Sequence, residues 1–242
     1  MPCIIITGAS DGIGAEIARQ LARTHHEQLQ LVLAARDAAK LEAVALECRA
    51  AKAQVLVVRT DVAEQAQCRA LIAQTVQAFG GIDCLINNAG ISAHAMLADV
   101  SAEHLQWYEQ LMRVNLWGSV WCTHAALPHL QASRGRIVAV SSLAGLVGVP
   151  GRTAYSASKF AMVGFFEALR AELKPSGVSG LKEDNAMSVA QCAHLIIRGM
   201  HARQREVVMT AKGKLGRWIK LIAPGWVENM ALAAVKDDSK PH

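Results

Sequence analysis

Tyr155 and Lys159 stand four residues apart in the run Tyr155-Ser156-Ala157-Ser158-Lys159. On a helix, positions i and i+4 share a face, so the phenol and the ammonium can meet in one site. An adjacent cation favours phenolate, and a phenol so placed can give and take a proton at a reacting oxygen. The pair alone is common by chance; its ordinary structural counterpart is a surface tyrosine beside a lysine whose stem lies along apolar surface. A second feature lies near the start of the chain, in Thr7-Gly8-Ala9-Ser10-Asp11-Gly12-Ile13-Gly14. Glycines there permit a tight turn and a close approach of the backbone to a pyrophosphate. The start of the following helix offers unpaired N–H groups and the positive end of its dipole. The glycine spacing, three residues and then one, differs from the commonest dinucleotide fingerprint.

The second apolar run ends Leu33-Ala34-Ala35-Arg36-Asp37. An NAD site usually carries an acid at this place to hold the ribose 2′-hydroxyl. Ala35 leaves it without a carboxylate, and the Arg36 guanidinium suits a 2′-phosphate, which favours NADP(H) over NAD(H). Asp37 is the competing ribose acid. Its structural alternative is the N-cap of the next helix, since Ala38-Ala39-Lys40-Leu41 follows.

The elements that must position these residues alternate in kind. Strand-like runs are expected at Cys3–Thr7, Leu29–Ala34, Val55–Arg59, Cys84–Asn87 and Arg136–Ser141, with a last short one at Glu206–Thr210. Helical stretches are expected at Gly14–Thr24, Ala38–Ala51, Gln65–Phe79, Ala102–Gln131, Thr153–Leu173 and Met187–His201. Strands with little polar interruption suit a parallel sheet buried on both faces. Alternation with helices then gives repeated βαβ units and a doubly wound α/β fold of Rossmann type. One domain is expected over residues 1–242, with 1–150 mainly forming the cofactor half and 151–242 carrying the catalytic helix and a distinct tail. That tail, Lys212–Val235, mixes cations with Trp218, Ile219, Leu221, Ile222 and Trp226, and Pro224–Gly225 should split it. It reads as a segment packed on the body or a second subunit, or as an amphipathic element touching substrate or a membrane surface.

Apolar residues make up 52% and charged residues 19% of the 242, enough for a substantial core and against long disorder. The net charge is +5, but the cations are scattered and accompany no nucleic-acid motif, so no nucleic-acid partner is expected. Cys3, Cys48, Cys68, Cys84, Cys122 and Cys192 form no C-x-x-C pair and read as buried small hydrophobes in a reducing compartment, hence a cytoplasmic expectation. The histidines show no metal-ligand spacing, and no metal is expected. The apolar run at Pro2 leads directly into a motif rather than a secretion signal, and no run reaches the length of a membrane span.

Thr7–Gly14, Asn87-Asn88-Ala89-Gly90, Asn115, Ser142 and Tyr155-x-x-x-Lys159 occur in one order, and together they resemble the short-chain dehydrogenase/reductase family from Pro2 to about Gly177. The resemblance implies a catalytic set of Asn115, Ser142, Tyr155 and Lys159 acting on CH–OH and C=O groups. It implies a cofactor site formed by Gly8, Ser10, Asp11, Gly12, Ile13, Gly14, Arg36, Asp61, Val62, Asn88, Ala89, Gly90, Tyr155 and Lys159, with Asn87 near the adenine ribose. Asp61-Val62 would border the adenine, and Asn115 would help hold a water linking Lys159 to solvent. Asparagine is a poor helix former, which itself invites a functional reading inside this helical run. Ser142 would hydrogen-bond the substrate oxygen, whereas strand alternation points Ser141 away. The expected activity is interconversion of a small-molecule carbonyl and alcohol. A 3-oxoacyl-thioester reductase and a non-catalytic NADP-binding sensor or scaffold stay open as alternatives. Family members usually pair through helices corresponding to Ala102–Gln131 and Thr153–Leu173, so a homodimer or homotetramer is expected, with Trp117, Trp121, Leu127, Phe160, Phe165, Phe166 and Leu169 suited to the contact.

The resemblance breaks after Val178-Ser179. The family continues with a strand ending in Pro-Gly and then a substrate-covering loop, whereas Gly180-Leu181-Lys182-Glu183-Asp184 runs toward a helix near Ser188. No room for a sixth strand and a lid is expected here. Either residues are missing after Ser179, which predicts a main-chain break at Ser179–Gly180, or the segment is deleted.

Overall fold

The computed structural model describes residues 1–25, 29–184 and 188–210, with a few isolated positions beyond. Apart from those positions, the tail expected at residues 212–235, with its break at Pro224–Gly225, lies outside the described residues. Seven strands form one parallel sheet: β1 Cys3–Thr7, β2 Gln30–Ala35, β3 Gln54–Arg59, β4 Cys84–Asn87, β5 Arg136–Val140, β6 Ser179–Asp184 and β7 Val207–Val208. Their spatial order is β3-β2-β1-β4-β5-β6-β7. The order reverses between β1 and β4, and a doubly wound sheet opens its binding crevice at the carboxyl ends of the strands there.

Period-two alternation on β1 divides the core into two layers. Ile4 and Ile6 pack with α1 Gly12–His25, α2 Ala38–Ala50 and α7 Val189–His201. Cys3 and Ile5 pack on the opposite face with α3 Gln65–Phe79, α5 Gly118–Ser133 and α6 Thr153–Glu172. Between α3 and α5 the chain forms α4 Gln106–Met112 and a π-helical turn at Arg113–Trp117. The single helix expected over Ala102–Gln131 is therefore a succession: a 3-10 turn at Ala102–Leu105, then α4, the π turn and α5.

The expectation of no sixth strand is overturned. β6 pairs in parallel with β5 from Arg136↔Ser179 through Val140↔Glu183 and passes its other edge to β7 at Glu183↔Val207. Successive pairs Arg136↔Ser179 and Ile137↔Gly180 carry the ladder straight through the position where a break was expected. Ser-Gly-Leu-Lys-Glu-Asp has little intrinsic strand preference, so the open edge of β5, which would otherwise leave N–H and C=O groups unpaired, selects the conformation. Ser188 caps α7, accepting from the Gln191 N–H, so only residues 185–187 separate β6 from that cap.

All six cysteines are free thiols and buried. Burial pushes the Cys3 and Cys84 thiols each up to about 12 and Cys48 up to about 11. Among the described residues no helix is long and apolar enough to cross a membrane.

Candidate active site

The glycine turn is fixed by the loop that follows β4. The Thr7 hydroxyl accepts from the Asn88 and Ala89 N–H groups at 3.0 and 3.1 Å. The Asn88 carboxamide donates to the Thr7 and Gly8 carbonyls at 2.9 and 3.2 Å. Gly8 has φ of +68°, and a Cβ there would lie 2.8 Å from the Ala89 Cα. At Gly14 a Cβ would collide with the Gly8 carbonyl, so this glycine serves helix-to-turn packing. α1 begins at Gly12, which lines the cleft that the turn borders.

That cleft has a volume of about 1110 Å³. Of the residues expected to hold a cofactor it brings together Gly8, Ser10, Asp11, Gly12, Ile13, Arg36, Asp61, Val62, Asn88, Ala89 and Gly90. Gly14, Tyr155 and Lys159 do not line it. Lys40, Thr60, Ile91 and Val114 do, and no motif in the sequence marks them. A tight turn closed to a Cβ at Gly8 and Gly14, followed by a helix start, fits a pyrophosphate. Asp37 takes the structural option left open for it, because its carboxylate accepts from the Lys40 N–H at 3.0 Å and caps α2. One Asp61 oxygen is likewise used on the Ala63 N–H, 3.0 Å away.

Asn87 does not line the cleft. It is buried, and its side chain donates to the Thr123 hydroxyl of α5 at 3.0 Å, so the adjacent Asn88 is the one facing the glycine turn. Alternation gave the signal: Asn87 shares its side of β4 with Leu85, which packs against the α5 layer.

At the other end of the cleft three elements converge. Lys159, buried on α6, donates to the Val140 carbonyl at the end of β5, 2.9 Å away. Its ammonium lies 5.8 Å from the centre of the half-buried Tyr155 ring, so the two side chains share one face of the helix. A Cβ built on Gly90 would stand 3.6 Å from that ammonium, which sets the amine against the rim of the cofactor cleft. Asn115 sits in the π turn with no exposure. Its carboxamide grips Ile91 on both sides, accepting from its N–H at 2.8 Å and donating to its carbonyl at 3.0 Å, and donates to the Ser158 hydroxyl at 2.9 Å. π-Helical turns inside α-helices recur at functional sites, and this one aims a polar side chain where the loop and α6 meet.

Ser142 follows β5 and is half-buried. Its hydroxyl oxygen accepts from the Ala144 N–H at 3.2 Å, leaving its proton to donate. Ser141 is buried and points the other way, toward Gly145. A separate cavity of about 350 Å³ adjoins the start of α6, walled by Val100, His104, Trp107, Tyr108 and Leu111 on one side and residues 151–154 on the other.

Known proteins resemble this chain in sequence and fold. The family described as short chain dehydrogenase matches residues 2–180. A relative named 11-beta-hydroxysteroid dehydrogenase-like 4A, from Arabidopsis thaliana, is 35% identical over 91% of this chain and 80% of its own length. The 11-beta-hydroxysteroid dehydrogenase A of Sesamum indicum is 43% identical over 71% of this chain, which is 48% of that protein. Among solved structures, a metagenomic short-chain oxidoreductase in complex with NADP superposes with a TM-score of 0.77 at 30% identity, over 86% of this chain and 95% of the other.

Proposed function

The chain belongs to the short-chain dehydrogenase family, and from that premise we propose that it is an NADP(H)-dependent oxidoreductase that interconverts a carbonyl and an alcohol. The observation that carries this reading is the Lys159 ammonium standing over the Tyr155 ring and beside Gly90, at once next to the phenol and at the edge of the dinucleotide cleft. The glycine turn would hold the pyrophosphate and Arg36 the 2′-phosphate. When bound there, a nicotinamide dinucleotide would supply the hydride chemistry. Tyr155 gives its proton to the substrate oxygen as negative charge grows there, and Ser142 donates a second hydrogen bond. Lys159 favours the phenolate left behind. Asn115 keeps Ile91 and α6 in register, so that the ammonium stays under the loop.

The relatives named for hydroxysteroids, together with the largely apolar cavity beside α6, favour a ring-bearing secondary alcohol or ketone as substrate. We also propose a subunit contact on the exposed Trp117 and Phe160. Phe166 does not join them, because it is buried in the core. The test of function is oxidation of NADPH, and separately of NADH, by a panel of alicyclic ketones, aldehydes and 3-oxoacyl thioesters. Turnover of cyclic ketones with NADPH is the expected result. No turnover of any carbonyl with either cofactor overturns the reading and leaves the binding-only alternative.

A further inference from the structure

The adenosine end of the cleft carries both signs of charge. Arg36 and Lys40 bring cations to it, and Asp11, Asp37 and Asp61 bring carboxylates. Two of the acids are committed to backbone amides, Asp37 to Lys40 and Asp61 to Ala63. Asp11 uses one oxygen on the Gly12 N–H at 2.7 Å and turns the other toward Lys40, whose ammonium is 3.7 Å away. Lys40 thus reaches from the first turn of α2 across the lip of the cleft to the glycine turn.

A cation in that turn works against its own helix, because the N-terminus is the positive end of the dipole and favours anions. The Asp37 carboxylate at the N-cap offsets this in part, and no acid lies within the first turn itself. The same placement is favourable once an anion sits at the helix start, where dipole and ammonium act together. Both partners of the Lys40–Asp11 pair are largely exposed, with 60% and 82% of their side-chain surface open, so the pair is loose and easily exchanged. A phosphate held by Arg36 would otherwise meet the Asp11 carboxylate across the same opening.

We propose that Lys40 is a second specificity determinant for the cofactor's 2′-phosphate, released from Asp11 to the phosphate when the ligand binds. This rests on the NADP(H) reading of Arg36 given above. Asp11 sets the threshold: it parks the lysine when no 2′-phosphate is present and repels that phosphate when the lysine is gone.

The experiment is calorimetric binding of NADPH, NADH, adenosine 2′,5′-bisphosphate and 5′-AMP to the wild-type chain and to Arg36→Ala, Lys40→Ala, Lys40→Arg and Asp11→Asn. Lys40→Ala is expected to weaken NADPH and the bisphosphate roughly tenfold while leaving NADH and 5′-AMP within about twofold. Lys40→Arg should retain the affinity and Asp11→Asn should raise it for the 2′-phosphorylated ligands alone. If Arg36→Ala discriminates between the two ligand sets and Lys40→Ala does not, the role of Lys40 is wrong and the NADP(H) reading stands. If neither substitution discriminates, the NADP(H) reading falls and this inference with it.

Discussion

A phenol and an ammonium one helical turn apart were legible because helical periodicity is a strong constraint, and the structure sets Lys159 over Tyr155 as that spacing requires. Ser142 and Ser141 separate in the same way, by alternation at the end of β5. Alternation along β4 assigns Asn87 to the α5 side, where its carboxamide meets Thr123, while its neighbour Asn88 lines the cleft. Lys40 carries no motif signal, since its place at the cleft comes from the path of α2 after the Asp37 cap. Asn115 was legible as unusual, but its grip on Ile91 was not, since the partner lies across the fold. Asn115→Ala leaves the N–H and C=O of the half-buried Ile91 and the buried Ser158 hydroxyl without their carboxamide partner. A stability loss of about 2–3 kcal/mol by denaturant unfolding is expected. A loss below about 0.5 kcal/mol would show that the clamp contributes nothing to stability.

Among the elements, the first five strands and the helices between them follow from apolar runs and their periodicity. β6 does not, because its residues are polar and only the edge of β5 makes them a strand. The π turn at Arg113–Trp117 is equally invisible to a pattern that reads one long helix. The start of α2 offers a direct test of Asp37, which is a cap if its carboxylate serves the Lys40 N–H and a ribose ligand if it serves the cofactor. Asp37→Ala should lower stability by about 1 kcal/mol and leave the NADH dissociation constant within about twofold. A loss of NADH affinity at unchanged melting temperature would instead restore the ribose role.

For the whole molecule, the sheet order places the glycine turn after β1 beside the loop after β4, so the two halves of the cleft come from segments about eighty residues apart. The Rossmann-type architecture was legible from alternation of elements, whereas assembly was not, because apolar helix faces also pack on the sheet. The structure sorts them: Trp121, Leu127, Phe165 and Leu169 are partly buried against the core, while Trp117 is 47% and Phe160 36% exposed. Light scattering should therefore read a dimer or larger assembly, and Trp117→Glu should shift the mass toward the monomer. A wild-type chain that is monomeric at micromolar concentration removes this surface from consideration.

The proposed proton exchange through Tyr155 is the step that would distinguish an enzyme from a dinucleotide binder here. The direct measurement is the Tyr155→Phe chain, assayed for turnover and for NADPH dissociation constant on one preparation. Turnover reduced by about 10²- to 10⁴-fold, with NADPH affinity held within about twofold, is the predicted result. Turnover at the wild-type rate in the chain carrying Tyr155→Phe would contradict it.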